Sequence, residues 1–380
     1  MRGKAGILSL LTVVLAALLS AGCHSARPAS HTAPQIADPQ APVWPPSLAP
    51  ETLAQCAQPV GVTGGLEIGV VVFDSGIDNP DERDARHKLR EVEARLVATS
   101  LRDVLTETGC WGPSRVLPSR SQFAALTLSG EIIHSDGRDL VVGIEAVDAS
   151  GATWLATTLH AAATASDYQS NTREPFETLF IAVANQLLRA AASRDAAEIR
   201  RLEQIALLRY AAELSPEGFG EYLEVIDGRT RLRRMPADND PMLLRIDRIR
   251  NQEALFIDTV DDQYIDLRQQ LGDTYRLWRR SSFEQADYLD QYKARAARRE
   301  LEADAGSFAA MQQVYSTFRS VRIQEQDLFE LATGFDNETA PTVMKSGERV
   351  VSLSGSLEQQ YAQWRSILGQ IIQLERGLTP

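Results

Sequence analysis

Ala124-Ala125-Leu126-Thr127-Leu128-Ser129-Gly130-Glu131-Ile132-Ile133 leads through Ser135-Asp136-Gly137-Arg138 into Leu140-Val141-Val142-Gly143-Ile144-Glu145-Ala146-Val147. The two apolar runs read as strands, and the Asp-Gly between them is a hairpin signal. Asp148-Ala149-Ser150-Gly151 makes a second turn, after which Thr153 to Leu159 forms a third strand. The stretch is therefore a three-stranded meander, and it fixes the architecture around it.

Working outward, Pro175 precedes an apolar helix from Phe176 to Ala192. On the other side, Arg115 to Leu117 reads as a short strand ended by Pro118. Between Glu91 and Glu107, Val92, Leu96, Val97, Leu101 and Leu105 recur at helical spacing, and Gly109 is placed to stop that helix. Leu66 to Phe73 is an apolar, β-branched run bounded by Gly65 and by Asp74-Ser75-Gly76, hence a buried strand. The order over residues 63–194 is strand, helix, strand, meander, helix: an α/β domain with a mixed sheet. On Leu128-Ser129-Gly130-Glu131-Ile132, the Val147-Asp148-Ala149-Ser150-Gly151 turn and the closing helix, it resembles a periplasmic domain. That domain occurs in the TolB N-terminal region, the curli secretion lipoprotein and LpoB-type activators of peptidoglycan synthases. The resemblance implies a module that binds other envelope proteins rather than one that performs chemistry.

Residues 195–333 are read as helical. Ile246, Ile249, Glu253, Phe256, Val260, Tyr264, Leu267, Leu271, Tyr275 and Trp278 fall at alternating steps of three and four, one straight stripe along a helix. Unbroken from about Asp240 to Glu302, that helix would be roughly 90 Å long. A second stripe, Leu301, Phe308, Met311, Tyr315, Phe318, Val321 and Leu328, would fold back near Asp304-Ala305-Gly306 as an antiparallel partner. The alternative is an extended coiled coil that self-associates. Residues 334–380 give a small β-hairpin, Ala340 to Met344 with Arg349 to Leu353, then a helix capped by Ser356 with stripe Tyr361, Trp364, Leu368 and Ile371. The fold class expected is thus α+β.

The N-terminus reads as an export signal. Met1-Arg2-Gly3-Lys4 is basic, Ala5 to Ala21 carries no charge, and the strongly apolar core Ile7 to Leu19 is too short to span a bilayer comfortably. Small residues then precede Cys23. Leu19-Ser20-Ala21-Gly22-Cys23 resembles the lipobox of bacterial lipoproteins, with Ser20 where Leu is usual. The resemblance implies cleavage after Gly22 (residues 1–22 removed) and acylation of Cys23. His24, in place of Asp, implies sorting to the outer membrane. Residues 23–62 are Pro-, Ala- and Ser-rich around Ala41-Pro42-Val43-Trp44-Pro45-Pro46 and read as a disordered tether.

The chain holds 39 Lys and Arg against 51 Asp and Glu, a net charge of −12. Such a surface repels nucleic acid, so none is expected as a partner. Expected partners are the membrane through the lipid, other envelope proteins and, on the coiled-coil reading, further copies of the chain. With Cys23 lipidated, Cys56 and Cys110 remain, and an exported even pair reads as a disulfide, with buried free thiols or a redox pair as alternatives.

No catalytic set emerges. His87, His134 and His160 belong to no zinc pattern, and neither a Gly-x-Ser-x-Gly elbow nor a phosphate-cradling loop appears. Asp258, Asp261 and Asp262, near Glu253, share a helical face but read as solvated rather than as a cation cage. Phe73 to Asp81 fits calcium-loop spacing poorly and reads as a plain loop. No enzyme, cofactor or metal is expected. The sequence points to a structural, assembly or accessory subunit of an envelope complex, on the periplasmic face. A regulator of a peptidoglycan synthase or an oligomeric secretion subunit is the alternative.

Overall fold

The meander sits where the sequence puts it. In the computed structural model, β3 (Leu126–Ser135), β4 (Asp139–Asp148) and β5 (Thr153–Ala162) pair antiparallel. β1 (Ile68–Val71) lies parallel to both β3 and β2 (Ser114–Leu117), so the sheet order is β2-β1-β3-β4-β5. A parallel pair needs a crossover, and α1 (Ala85–Glu107) supplies it between β1 and β2. α2 (Glu177–Ala192) closes the domain with Leu179, Phe180, Val183 and Leu187 buried in the same core as Ile68, Val70, Leu126 and Val142. Described here are residues 43–61, 64–77, 85–169, 174–299, 315–316, 318–319, 321–330, 333, 341–346 and 349–375.

α3 (Ala196–Leu214) follows at once, started by a capping box in which Asp195 accepts from the Glu198 amide and Glu198 answers the Asp195 amide. Next come a single turn, α4 (Pro216–Phe219), and a hairpin, β6 (Leu223–Ile226) with β7 (Arg229–Leu232). The wholly helical reading of residues 195–333 is thus corrected. Asp227 and Gly228 take φ of 51° and 73°, the left-handed pair that a two-residue hairpin turn requires.

α5 (Pro241–Arg299) is a single helix of 59 residues, about 88 Å long at 1.5 Å per residue. Every member of its expected stripe is buried, from Ile246 to Trp278. What buries it is the rest of the chain: α5 packs on β2, α1, α3, the β8–β9 hairpin and the last helix. Ile246, Ile249, Phe256, Val260 and Tyr264 enter the main core, whereas Leu267, Leu271, Tyr275 and Trp278 join Leu89, Val92 and Leu96 of α1 in a second cluster. The helix is therefore a spine laid along the α/β domain, and its stripe is covered within the chain.

Residues 321–330 are helical, and Val321 and Leu328 complete that second cluster against α5. The other two described members of the expected second stripe, Tyr315 and Phe318, are exposed, so that stripe is covered only in part. The expected turn at 304–306 lies outside the described residues, as do Leu301, Phe308 and Met311. β8 (Thr342–Ser346) pairs with β9 (Arg349–Leu353), and α6 (Leu357–Glu375) buries Tyr361, Trp364 and Leu368 against Phe256 of α5. The described residues from Trp44 onward form one compact unit. No helix among the described residues is long and apolar enough to cross a membrane.

Candidate functional site

Residues 44–61, expected to be the end of a disordered tether, are instead a strap docked on the domain. A Pro-rich chain makes no hydrogen bonds of its own, and here the sheet edge and a helix supply them. β5 is an edge strand. The Leu48 amide donates to the His160 carbonyl at 2.9 Å, and the Ala162 amide donates to Ser47 Oγ at 3.0 Å. His160 sits between Asp139 Oδ1 (2.8 Å, at Nε2) and the Pro45 carbonyl (2.9 Å, at Nδ1). Trp44 packs on His134 at 4.4 Å between centroids and on His160 at 5.7 Å. These two histidines, which belong to no zinc pattern, thus seat the strap.

Farther along, Asn185 of α2 is nearly buried and gathers the next turn of strap. Its Oδ1 accepts from the Ala54 amide, and its Nδ2 donates to Thr52 and to Glu51. Cys56 then bonds covalently to Cys110 just beyond α1, with Cα atoms 5.0 Å apart. The Cys56 amide donates to Thr108 and the Val60 amide to Cys110, so the staple lies inside a backbone seam. Gly65 is held at φ 94° with Gly112 so close that a Cβ would meet its amide nitrogen at 2.5 Å, which leaves no room for another residue. Cys23 lies outside the described residues.

Three of the four carboxylates near the middle of α5, Glu253, Asp258 and Asp261, are held by arginines or tyrosines. Asp258 pairs with Arg115 and Asp261 with Arg102 at 2.5 Å. Glu253 accepts from Tyr210 and Tyr361 at 2.7 Å each. Asp258 and Asp262 are exposed, as a solvated face requires, but Asp261 and the neighbouring Glu253 are buried, which corrects that expectation at these two positions. Burial pushes the Asp261 carboxyl up to about 6, against the pull of Arg102. Burial and the Glu253 carboxylate both push the Tyr210 phenol up, so it remains a donor. Glu67, raised by burial, is bracketed by Arg250 and Arg115, both of which also stack on Phe123. Asp136 is pulled down to about 2: burial opposes this, but His134 and the Asp139 and Arg138 amides all donate to it.

A further network locks the spine to the meander. Glu93 of α1 and Arg279 of α5 are almost fully buried and 3.1 Å apart. Ser135 and Tyr275 both donate to Glu93 Oε1, and Arg279 stacks over Phe176. Gly137, at the β3–β4 turn, lies against the α5 backbone so closely that a Cβ would sit 2.0 Å from the Arg279 carbonyl. Beside this network, a cavity of about 370 Å³ opens between α1, α2 and α5, walled by Asp103, Glu174, Arg268 and Arg276.

On β3–β5, Ser129, Glu131, Gly143, Glu145 and Thr158 line a shallow groove beside Arg120. These residues form no nucleophile–base pair. Among the described residues, no group of three or more His, Cys, Asp or Glu is placed to hold a metal ion. Of the expected site residues, the structure therefore brings Cys56 and Cys110 together. The strap and the Asn185 clamp were missed, and Trp44 inside a Pro-rich run was the signal for them. No protein-family model matches the chain, and no curated protein matches it.

Proposed function

We propose that this chain is an outer-membrane lipoprotein, acylated on Cys23. In this reading it serves as a structural, assembly or accessory subunit of an envelope complex and catalyses no reaction. Its partners are the membrane, through the lipid, and other envelope proteins.

The strap carries the reading. A lipid on Cys23 holds the body through the chain that follows it, so the join between that chain and the body bears the attachment. Here the chain downstream of the lipobox-like Leu19-Ser20-Ala21-Gly22-Cys23 is fixed to the sheet edge, to α2 and then covalently to residue 110. Several acyl chains on one residue hold lastingly, since each buried methylene contributes roughly 0.8 kcal/mol.

Growth of the producing cells with an alkyne analogue of palmitate tests this. Expected are a labelled chain in the outer-membrane fraction and an unlabelled, soluble chain for Cys23→Ala. A wild-type chain that is unlabelled and soluble would sink the proposal. Cross-linking in intact cells then addresses the complex. Recovery of a peptidoglycan synthase would make the chain a regulator, and recovery of its own oligomers alone would favour the secretion-subunit alternative.

A further inference from the structure

β6 and β7 form a two-stranded ribbon whose base is anchored and whose outer edge is open. Leu223 and Leu232 pack against the main core, and the Arg233 amide donates to Tyr222 at 2.9 Å. Ile226 and Arg229 flank the turn, so the next pair, Val225 and Thr230, directs its amides outward. On the β7 side, that outward Thr230 amide reaches the Ser150 carbonyl at 2.8 Å and is satisfied. On the β6 side, no strand pairs with the edge among the described residues. Val225 is 71% exposed there and Ile226 37%. Natural edges of this kind are usually blunted by charge or proline; β6 carries one charge, Glu224, which lies opposite Arg231 and 3.9 Å from Arg233, beside two exposed β-branched residues.

The other strand is basic. Arg229, Arg231, Arg233 and Arg234 stand within six residues of a chain whose net charge is −12. Arg233 approaches Glu224 at 3.9 Å, and Arg234 stacks on Tyr222. Arg229 and Arg231 are exposed and make no ion pair among the described residues.

We propose that the open β6 edge docks an extended, acidic segment of a partner protein by strand addition. Main-chain bonds to Val225 would supply affinity, and Arg229 and Arg231 would select carboxylates. An anionic bilayer is the weaker occupant because it offers no strand to pair with the outward Val225 amide. The ribbon sits by Ser150, ahead of the first residue of β5, whereas the strap begins at His160 near its last. β5 has 10 residues, so the two ends are about 33 Å apart. The ribbon thus lies at the far end of β5 from residues 45–48 of the strap. The inference rests on the accessory-subunit reading and names the chemistry of its partner.

The test uses the full chain in detergent and a fluorescent decapeptide of alternating Glu and Val. A Lys/Val peptide and phosphatidylglycerol vesicles serve as rival probes. Anisotropy should report binding of the Glu/Val peptide alone. The Arg229→Gln/Arg231→Gln double variant, which leaves the backbone intact, should weaken it by roughly tenfold. Val225→Pro removes the outward amide and should abolish binding with an unchanged unfolding midpoint; if it disturbs the ribbon, the arginine pair decides alone. Preference for the Lys/Val peptide, binding to vesicles in place of peptide, dimerisation through β6, no binding, or indifference to the arginines would each overturn the inference. None of these results would alter acylation of Cys23 or cross-linking through other surfaces, so the two readings fail separately.

Discussion

Replacing both Cys56 and Cys110 with serine removes the staple while keeping the size of each side chain nearly unchanged. The bond joins residues 54 apart in sequence. On the chain-entropy model, a loop of that length lowers unfolded-state entropy by about 14 cal/mol/K, or about 4 kcal/mol at 25 °C. For a body of this size, with an unfolding entropy near 2.1 cal/mol/K per residue, the expected fall in Tm is about 6 °C. The figure assumes that the strap stays docked in the native variant through Leu48, Ala54 and Val60, whose amide bonds do not involve sulfur. Urea unfolding followed by tryptophan fluorescence would give the stability loss, and limited proteolysis would report on residues 44–61. A lower midpoint with a protected strap is the expected pair of results. An unchanged midpoint with a strap cleaved at once would refute the reasoning, because the strap would then be a separate unit held only by its covalent bond.

Two further perturbations address the buried charges. Glu93→Ala leaves Arg279 buried without its partner and should destabilise the fold by about 3–5 kcal/mol. Glu93→Leu/Arg279→Leu should lose less than the single change in the same urea titration, and a larger loss would point to shape rather than charge. The raised Asp261 carboxyl gives a signed pH effect, since the folded state holds its proton more tightly than the unfolded chain does. Its contribution is therefore full below about pH 4, is lost as pH rises to about 6, and is flat beyond. Across that window the wild type should lose stability relative to Asp261→Asn by no more than about 3 kcal/mol. Parallel pH profiles of the two proteins would contradict it.

Elements whose pattern is set by their own core face were legible before folding. The Ile246–Trp278 stripe announces a helix because one face must be apolar whatever covers it. Ser135-Asp136-Gly137-Arg138 announces a turn because few residues accept its backbone. What covers the stripe was not legible. A solvated coiled-coil partner and the α/β domain demand the same apolar face, so the pattern alone does not choose between them. The β6–β7 hairpin was legible and overlooked. Ile226-Asp227-Gly228-Arg229 carries the same Asp-Gly signal, but strong helices on both sides obscured a ribbon of four-residue strands. The strap was hidden for a different reason. Its composition is that of a chain without a core of its own, and its order comes wholly from groups remote in sequence, such as Asn185 and His160. Buried Glu253 and Asp261 were misread likewise, since their partners Tyr361 and Arg102 lie over a hundred residues away.

The position of the staple also sets how the body bears load. Tension arriving along the chain from residue 43 meets first the bonds to His160 and Ala162, then the Asn185 clamp, then Cys56. From there the covalent path runs straight to Cys110, and residues 57–109 hang as a closed loop off the line of force. That loop holds β1, the central parallel strand, and all of α1. A pull from the N-terminal side would peel the strap and then transfer to β2 and the meander, leaving the strand that seeds the sheet unstretched. The bond is a mechanical bypass as much as a thermodynamic one.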